Sequence, residues 1–166
     1  DTIIRGREHI LNAQEEKILA MAAPAMESMD TAFSMLESEV GYSRSTLPEG
    51  LIRVGNRLKG RLGECFVNVG KKAQGPEGIT FAAAWEDEIT GFLKETCLDK
   101  KEEELLLSFP GFTGFVDGQM QLLSLEQFGK EIRRAEEKAR KETESRRKAV
   151  LSVSMAGGLL IAILLI

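Results

Sequence analysis

The chain holds very few of the side chains from which proteins build metal sites. Its 166 residues include one histidine, His9, and two cysteines, Cys65 and Cys97, which lie far apart and lack CxxC spacing. Cysteines in this pattern are typical of isolated thiols in a reducing compartment. One histidine leaves hardly any material for zinc. The sequence therefore predicts no metal site.

An excess of positive charge is also missing. The chain has 22 Lys and Arg against 26 Asp and Glu, a net charge of -4. Nucleic-acid-binding domains usually carry a basic patch over a whole face, so nucleic acid is not expected as a partner. The stretch GFTGFVDG resembles a phosphate loop, but it lacks the GK[ST] ending and follows no strand signal. Nucleotide binding is therefore not predicted, and neither is another small-molecule substrate.

The sequence also lacks a legible catalytic arrangement, such as a nucleophile beside a base or a tuned pair of carboxylates. Its acidic residues fall in runs such as KKEEE and RRAEEKARKETESRRK, whose spacing is typical of solvated helix faces with i,i+4 ion pairs. We predict no catalytic residue, no cofactor and no enzymatic activity. The alternative left open is a membrane enzyme whose catalytic carboxylates hide among the acidic residues.

Strand signals are scarce, because β-branched runs are few and no Asn-Gly or Asp-Gly hairpin turn separates alternating apolar residues. The sequence predicts an all-α fold, a bundle of about six helices. The first of these has an apolar stripe, is started or kinked by Pro24 and ends near Gly41. Its stripe consists of Met29, Phe33, Leu36 and Val40.

Capping residues mark where further helices begin. Thr46 and Glu49 have the spacing of a capping box, with Pro48 in the first turn, and Asp99 and Glu102 repeat the spacing before ELLLSF. Helices are also predicted over residues 61–72 and 80–96, followed by a break at 110–114. Residues 113–148 are predicted to form one helix whose second half is thinly apolar and projects from the core as a charged stalk.

Residues 149–166 carry no charge at all. As a helix they would span about 27 Å, close to the ~30 Å hydrocarbon thickness of a bilayer. A buried core helix is the alternative, but the charged stalk gives such a helix nothing to be buried in. We predict a C-terminal transmembrane helix, with Arg146, Arg147 and Lys148 flanking the membrane and holding the helical domain in the cytoplasm.

The chain is thus divided into three parts. Residues 1–25 form an N-terminal amphipathic segment, residues 26–148 the cytoplasmic bundle and stalk, and residues 149–166 the transmembrane helix. The N-terminal segment either follows an anchor that precedes Asp1 or belongs to a protein that is anchored only once.

Four motifs, one of which is the C-terminal span, together resemble the stage III sporulation protein AB family of endospore-forming bacteria. They are MLESEVGYSRSTLPEGL, AAWEDEI, the terminal GGLLIAILLI, and a set made up of Phe109, Gly114, Asp117 and Gln121. The family motif positions matched by this chain are Leu47, Pro48, Glu49, Trp85, Asp117 and Gln121. Asp117 and Gln121 are expected to share one face of the last helix, either contacting a neighbouring helix or partner or forming a surface pair.

The resemblance implies a membrane-anchored helical bundle similar to the soluble domains of the type II secretion platform protein F. It implies a non-enzymatic scaffold in the channel complex that joins mother cell and forespore, with the bundle in the mother-cell cytoplasm. The implied partners are a secretion-ATPase-like subunit, stage III sporulation protein AA, other channel membrane proteins and membrane lipid. The alternative is a tail-anchored adaptor of a secretion-like membrane complex outside sporulation.

Overall fold

The computed structural model describes the backbone of residues 2–114 and 117–164, and the side chains of residues 22–114 and 117–149. Within these residues the chain forms six α-helices and one short 3-10 helix, and no strand. The α-helices are α1 (Thr2–Tyr42), α2 (Leu47–Arg57), α3 (Arg61–Gln74), α4 (Phe81–Leu93), α5 (Lys100–Leu107) and α6 (Gly118–Leu164), and the 3-10 helix is Phe109–Phe112. The predicted all-α bundle is confirmed for this part of the chain.

The two long helices, α1 and α6, pack against each other in antiparallel directions. Gly41 near the end of α1 lies against Leu122 near the start of α6, and Glu37 lies against Gly129 one to two turns further along. The short helices α2, α3 and α4 follow one another along the chain, and each packs on the next. The bundle core is therefore shared by the first half of α6, the second half of α1 and the three short helices between them.

Helices α2 and α3 form a hairpin whose backbones touch at glycines. A Cβ atom at Gly63 would lie 2.7 Å from the carbonyl oxygen of Gly55, and one at Gly70 would lie 2.5 Å from that of Pro48. Real Cβ atoms essentially never come so close to another atom, so these positions require residues without a side chain. The glycines thus set how closely α2 can approach α3.

Aromatic rings fill the centre of the core. The hub is Phe109 of the 3-10 helix, whose ring centroid lies 4.7 Å from that of Trp85, 4.8 Å from Phe128 and 4.9 Å from Phe33. Phe66 adds a ring from α3, 5.9 Å from Trp85. The predicted break at residues 110–114 is confirmed in part as this 3-10 turn, and the turn is what carries Phe109 into the core.

Pro24 lies inside α1 and does not start it, so the predicted start of the first helix is wrong. A proline inside a helix removes one backbone hydrogen bond and costs about 3 kcal/mol or more. Ala22, Met26 and Met29 on either side of Pro24 are buried in the core. Their packing holds the segment helical across the proline, and the predicted end near Gly41 is confirmed at Tyr42.

The last helix begins later than predicted, at Gly118 and not at residue 113. Pro110 stands in the 3-10 helix and Gly114 has a φ of 91°, so the α-helical backbone is interrupted before Asp117. Beyond Ala139, residues 140–149 are exposed apart from the half-buried Thr143. From here on the stalk denotes residues 140–148.

No helix within the described residues is long and apolar enough to cross a membrane. The predicted transmembrane helix, residues 149–166, lies outside the residues whose side chains are described, except for Ala149. The backbone of α6 continues through the stalk as one helix as far as Leu164.

Candidate interaction surfaces

Three of the predicted motif positions, Leu47, Pro48 and Glu49, build the start of α2. The Thr46 hydroxyl accepts a hydrogen bond from the Glu49 amide at 3.5 Å, and the Glu49 carboxylate accepts one from the Thr46 amide at 3.0 Å. These two bonds are the predicted capping box, and they hold the pKa of Glu49 below its usual value. Leu47 is buried, and the Pro48 carbonyl faces Gly70 of α3. The motif therefore positions α2 against the core.

Trp85 lies at the centre of the fold and is fully buried. Its indole Nε1 donates a hydrogen bond to the Leu106 carbonyl oxygen at 2.8 Å, which ties α4 to the end of α5. A buried indole N–H needs such a partner, because leaving it unpaired would cost about 1–3 kcal/mol. Trp85 has no contact with solvent and holds helices together.

Asp117 lies directly before the first residue of α6, and Gln121 lies in its first turn. The Asp117 carboxylate accepts a hydrogen bond from the Gln119 amide at 3.1 Å, and its carbonyl accepts one from the Gln121 amide at 3.0 Å. Asp117 thus caps the helix. Gln121 is half-buried, and its buried Nε2 makes no hydrogen bond.

The predicted site residues are not brought together at one cleft. Leu47 to Glu49 lie at the start of α2, Trp85 lies in the core, and Asp117 and Gln121 lie at the start of α6. The predicted membrane-flanking residues, Arg146, Arg147 and Lys148, are exposed on the stalk. Within the described residues, no group of three or more His, Cys, Asp and Glu is arranged to hold a metal ion.

A buried carboxylate lies where α1 meets α2. The side chain of Glu39 is 6% exposed, and it pairs with Arg57 at 2.7 Å and with Arg53 at 3.5 Å. Arg53 also donates a hydrogen bond to the Ser45 hydroxyl at 2.9 Å. Both arginine side chains keep more than half of their surface in solvent, 53% for Arg53 and 60% for Arg57. The cluster therefore presents arginines outward over a covered glutamate.

A second carboxylate, Glu37, lies between α1 and α6. Its burial raises its pKa above the usual value of 4.5, and the Arg133 guanidinium, 3.8 Å away, acts in the opposite direction. Asp30 lies 3.7 Å from the same guanidinium. Buried Oδ1 of Asp30 and Oε1 of Glu37 make no hydrogen bond. At this contact between α1 and α6, one guanidinium faces two partly buried carboxylates.

The thiols and the main cleft offer little chemistry. Burial raises the pKa of the Cys65 thiol to about 12, so it stays protonated and unreactive at neutral pH. An open cleft of about 580 Å³ lies between α1, the α2–α3 turn and the end of α4. Of the charged side chains at its rim, Arg61 pairs with Glu95 at 3.2 Å. The charge of the Arg61 guanidinium is thus balanced by a carboxylate of the protein itself.

An exposed apolar patch lies at the end of the bundle where α1 finishes and α6 begins. Gly41 faces Leu122, so the next residue on each helix turns outward by about 100°. Tyr42 is 91% exposed, Leu123 58% and Met120 46%. We call these three residues the outer patch. Sequence reasoning missed it, although residues 105–125 contain a single charged residue, Asp117, and this signal could have revealed it.

Residues 16–166 match the family described as stage III sporulation protein AB. The chain belongs to this family. A solved structure of a stage III sporulation protein AB matches with a TM-score of 0.64 and 18% identity, covering 75% of this chain and 97% of that chain. At this identity the structural match shows a shared fold. No curated protein matches the chain in sequence.

In this member of the stage III sporulation protein AB family, the matched motif positions other than Gln121 are explained by folding. Leu47 and Trp85 are buried, Glu49 and Asp117 bond to backbone amides at helix starts, and Phe109 is the hub of the aromatic core. The candidate interaction surfaces are therefore the outer patch and the arginines over Glu39, which lie outside the matched positions.

Proposed function

We propose that the protein is a non-enzymatic, membrane-anchored assembly component of the channel complex between mother cell and forespore. Membership of the stage III sporulation protein AB family associates the chain with sporulation. The specific role rests on the architecture, in which a tightly packed bundle offers exposed surfaces to other proteins. A protein with this architecture is suited to act as a scaffold that holds other proteins in place.

The observation that carries the proposal is the continuity of α6. The helix begins at Gly118, packs in the core through residues such as Phe128, and continues through the exposed stalk without a break to Leu164. A continuous helix transmits position far better than a flexible linker does. If residues 149–166 cross the membrane, the bundle is held at a fixed height and orientation relative to the bilayer.

The charge of the stalk supports an orientation. Arg146, Arg147 and Lys148 lie directly before the uncharged segment, and basic residues favour the cytoplasmic side of a membrane. The bundle then faces the mother-cell cytoplasm, where we expect it to contact a secretion-ATPase-like subunit, stage III sporulation protein AA. Other membrane proteins of the channel are the expected neighbours of the transmembrane helix.

Complementation of a deletion strain tests the proposal. The deletion should block spore formation after engulfment begins, and the full chain should restore it. A chain that ends at Lys148 should fail, and the same chain fused to an unrelated transmembrane helix should recover much of the function, since the tail is proposed to anchor. Full restoration by the tailless chain would contradict the anchoring role.

Co-purification tests the partners. From sporulating cells, the tagged full chain in mild detergent should bring down stage III sporulation protein AA. If the protein is instead abundant in growing cells and binds none of the channel proteins, it is a tail-anchored adaptor with another partner, and the proposal is wrong.

A further inference from the structure

The outer patch presents unusually large apolar surface for a chain this polar. Its three side chains are exposed while 29% of all residues are charged. Single exposed apolar residues are common, but neighbouring ones on one face mark interaction sites. Because Gly41 faces Leu122 across two antiparallel helices, the residues that follow them, Tyr42 and Leu123, turn toward the same side of the α1–α6 pair.

Arginines flank the outer patch on the α2 side. Tyr42 follows Glu39 by three residues, so the two lie on neighbouring positions of the last turn of α1. Arg57 and Arg53 pair with Glu39 from α2, and Arg44 stands exposed two residues beyond Tyr42. Glu39 is covered, and exposed Glu49 is bonded to the Thr46 amide. Three arginines stand against these two carboxylates, so the flank keeps a net charge of +1, while exposed Asp117 lies on the α6 side of the outer patch, three residues before Met120.

From these features we infer that the outer patch and its arginine flank bind an acidic amphipathic helix of another protein. The apolar stripe of that helix would cover Tyr42, Met120 and Leu123. Carboxylates along one edge of its stripe would meet Arg44, Arg53 and Arg57. Helices with an apolar face docked on a groove or patch, and steered by charge, are a common mode of recognition.

Lipid is not the occupant, a point that rests on the proposed membrane anchor. Leu123 and Val150 are on the same helix, about 40 Å apart at 1.5 Å per residue. The outer patch therefore lies at the end of the bundle away from the proposed membrane segment. A second copy is also disfavoured, because a two-fold contact through this face would bring the two arginine flanks toward one another.

Peptide binding to the full chain in lipid nanodiscs tests the inference. One probe is a fluorescent helical peptide with a leucine stripe flanked by glutamates, and the other has lysines in place of those glutamates. Fluorescence anisotropy should show the acidic probe binding at least about tenfold more tightly than the basic one, because like charges repel at the flank. Its affinity should also fall as salt is raised.

Variants locate the site. Leu123→Ser and Tyr42→Ala should each weaken binding of the acidic probe severalfold, and together by about tenfold or more, since central apolar anchors dominate such contacts. Arg44→Glu should weaken it as well. Leu107→Ala changes an exposed leucine of α5, 38% exposed, and serves as the matched control with no effect.

Several results would overturn the inference. They are absence of binding, equal binding of the basic probe, and a loss in Leu107→Ala as large as in Leu123→Ser. Self-association of the full chain that Leu123→Ser abolishes would make a second copy the occupant. A chain that restores spore formation yet fails these tests would refute only this inference, because complementation tests the proposed function separately.

Discussion

Replacing Gly70 by alanine tests the tight contact between α2 and α3. The new Cβ would lie 2.5 Å from the Pro48 carbonyl oxygen and 2.6 Å from Cγ1 of Ile52. The oxygen belongs to a helix backbone, which cannot rotate away as a side chain does. The two helices must therefore separate by several tenths of an ångström to a full ångström.

Two effects of opposite sign decide the size of the change. Overpacking a well-packed contact costs about 1–3 kcal/mol, and a rigid backbone neighbour places Gly70→Ala near the upper end. Alanine in a helix interior is favoured over glycine by about 1 kcal/mol. The steric cost wins, and we expect a net loss of about 2 kcal/mol in the free energy of unfolding.

Gly91→Ala provides the matched control in α4. The nearest atom to its new Cβ is the end of the Arg61 side chain at 3.4 Å, an ordinary contact with a group that can move. Only the helix preference remains, so this variant should be stabilised by about 0.5–1 kcal/mol. The two substitutions are chemically identical and should have opposite effects.

Urea denaturation of the full chain in detergent measures both variants. The fluorescence of Trp85, the single tryptophan, reports unfolding of the bundle in which it is buried. Circular dichroism provides an independent signal. If Gly70→Ala is as stable as the wild type, or gains as much as Gly91→Ala, then α2 and α3 are not in backbone contact and the described hairpin is wrong.

Three further predictions follow from particular bonds. Trp85→Phe removes the hydrogen bond to the Leu106 carbonyl and leaves a small cavity, so urea denaturation followed by circular dichroism should show that the free energy of unfolding falls by about 2 kcal/mol. An unchanged free energy of unfolding would contradict the role of Trp85 in holding α4 to α5. Thr46→Ala removes half of the capping box with Glu49 and should cost about 1 kcal/mol, while Thr46→Ser should restore most of it. Burial raises the pKa of Glu37, so its ionisation destabilises the folded state as pH rises above 4.5. The free energy of unfolding of Glu37→Gln minus that of wild type should therefore be more positive at pH 7 than at pH 4. A difference that does not change with pH would refute this explanation.

The helices themselves were predictable because their signals are local. The capping residues Thr46 and Asp99 mark the starts of α2 and α5 in the sequence and in the structure. The apolar stripe of α1 follows from helical periodicity, and Met29, Phe33 and Leu36 are buried as their spacing predicts. Such features depend on residues within one or two turns of each other.

Other features depend on contacts between distant parts of the chain. Packing on both sides of Pro24 outweighs its local preference to end a helix. Phe109 becomes the hub of the core only because rings from three other helices, α1, α4 and α6, converge on it, and its local sequence indicates no more than a break. The outer patch arises where the end of α1 meets the start of α6, which no local pattern can show. In the sequence, the scarcity of charged residues over 105–125 indicates the α6 side of the outer patch.

The anchoring of the bundle through α6 is the central claim, and membrane fractionation of sporulating cells tests it most directly. The account predicts that the intact chain sediments with membranes, resists extraction with alkaline carbonate and is released by detergent. The variant that ends at Lys148 should stay in the supernatant with Trp85 still buried. An intact chain that remains folded in the supernatant after detergent-free lysis and high-speed centrifugation would contradict the account.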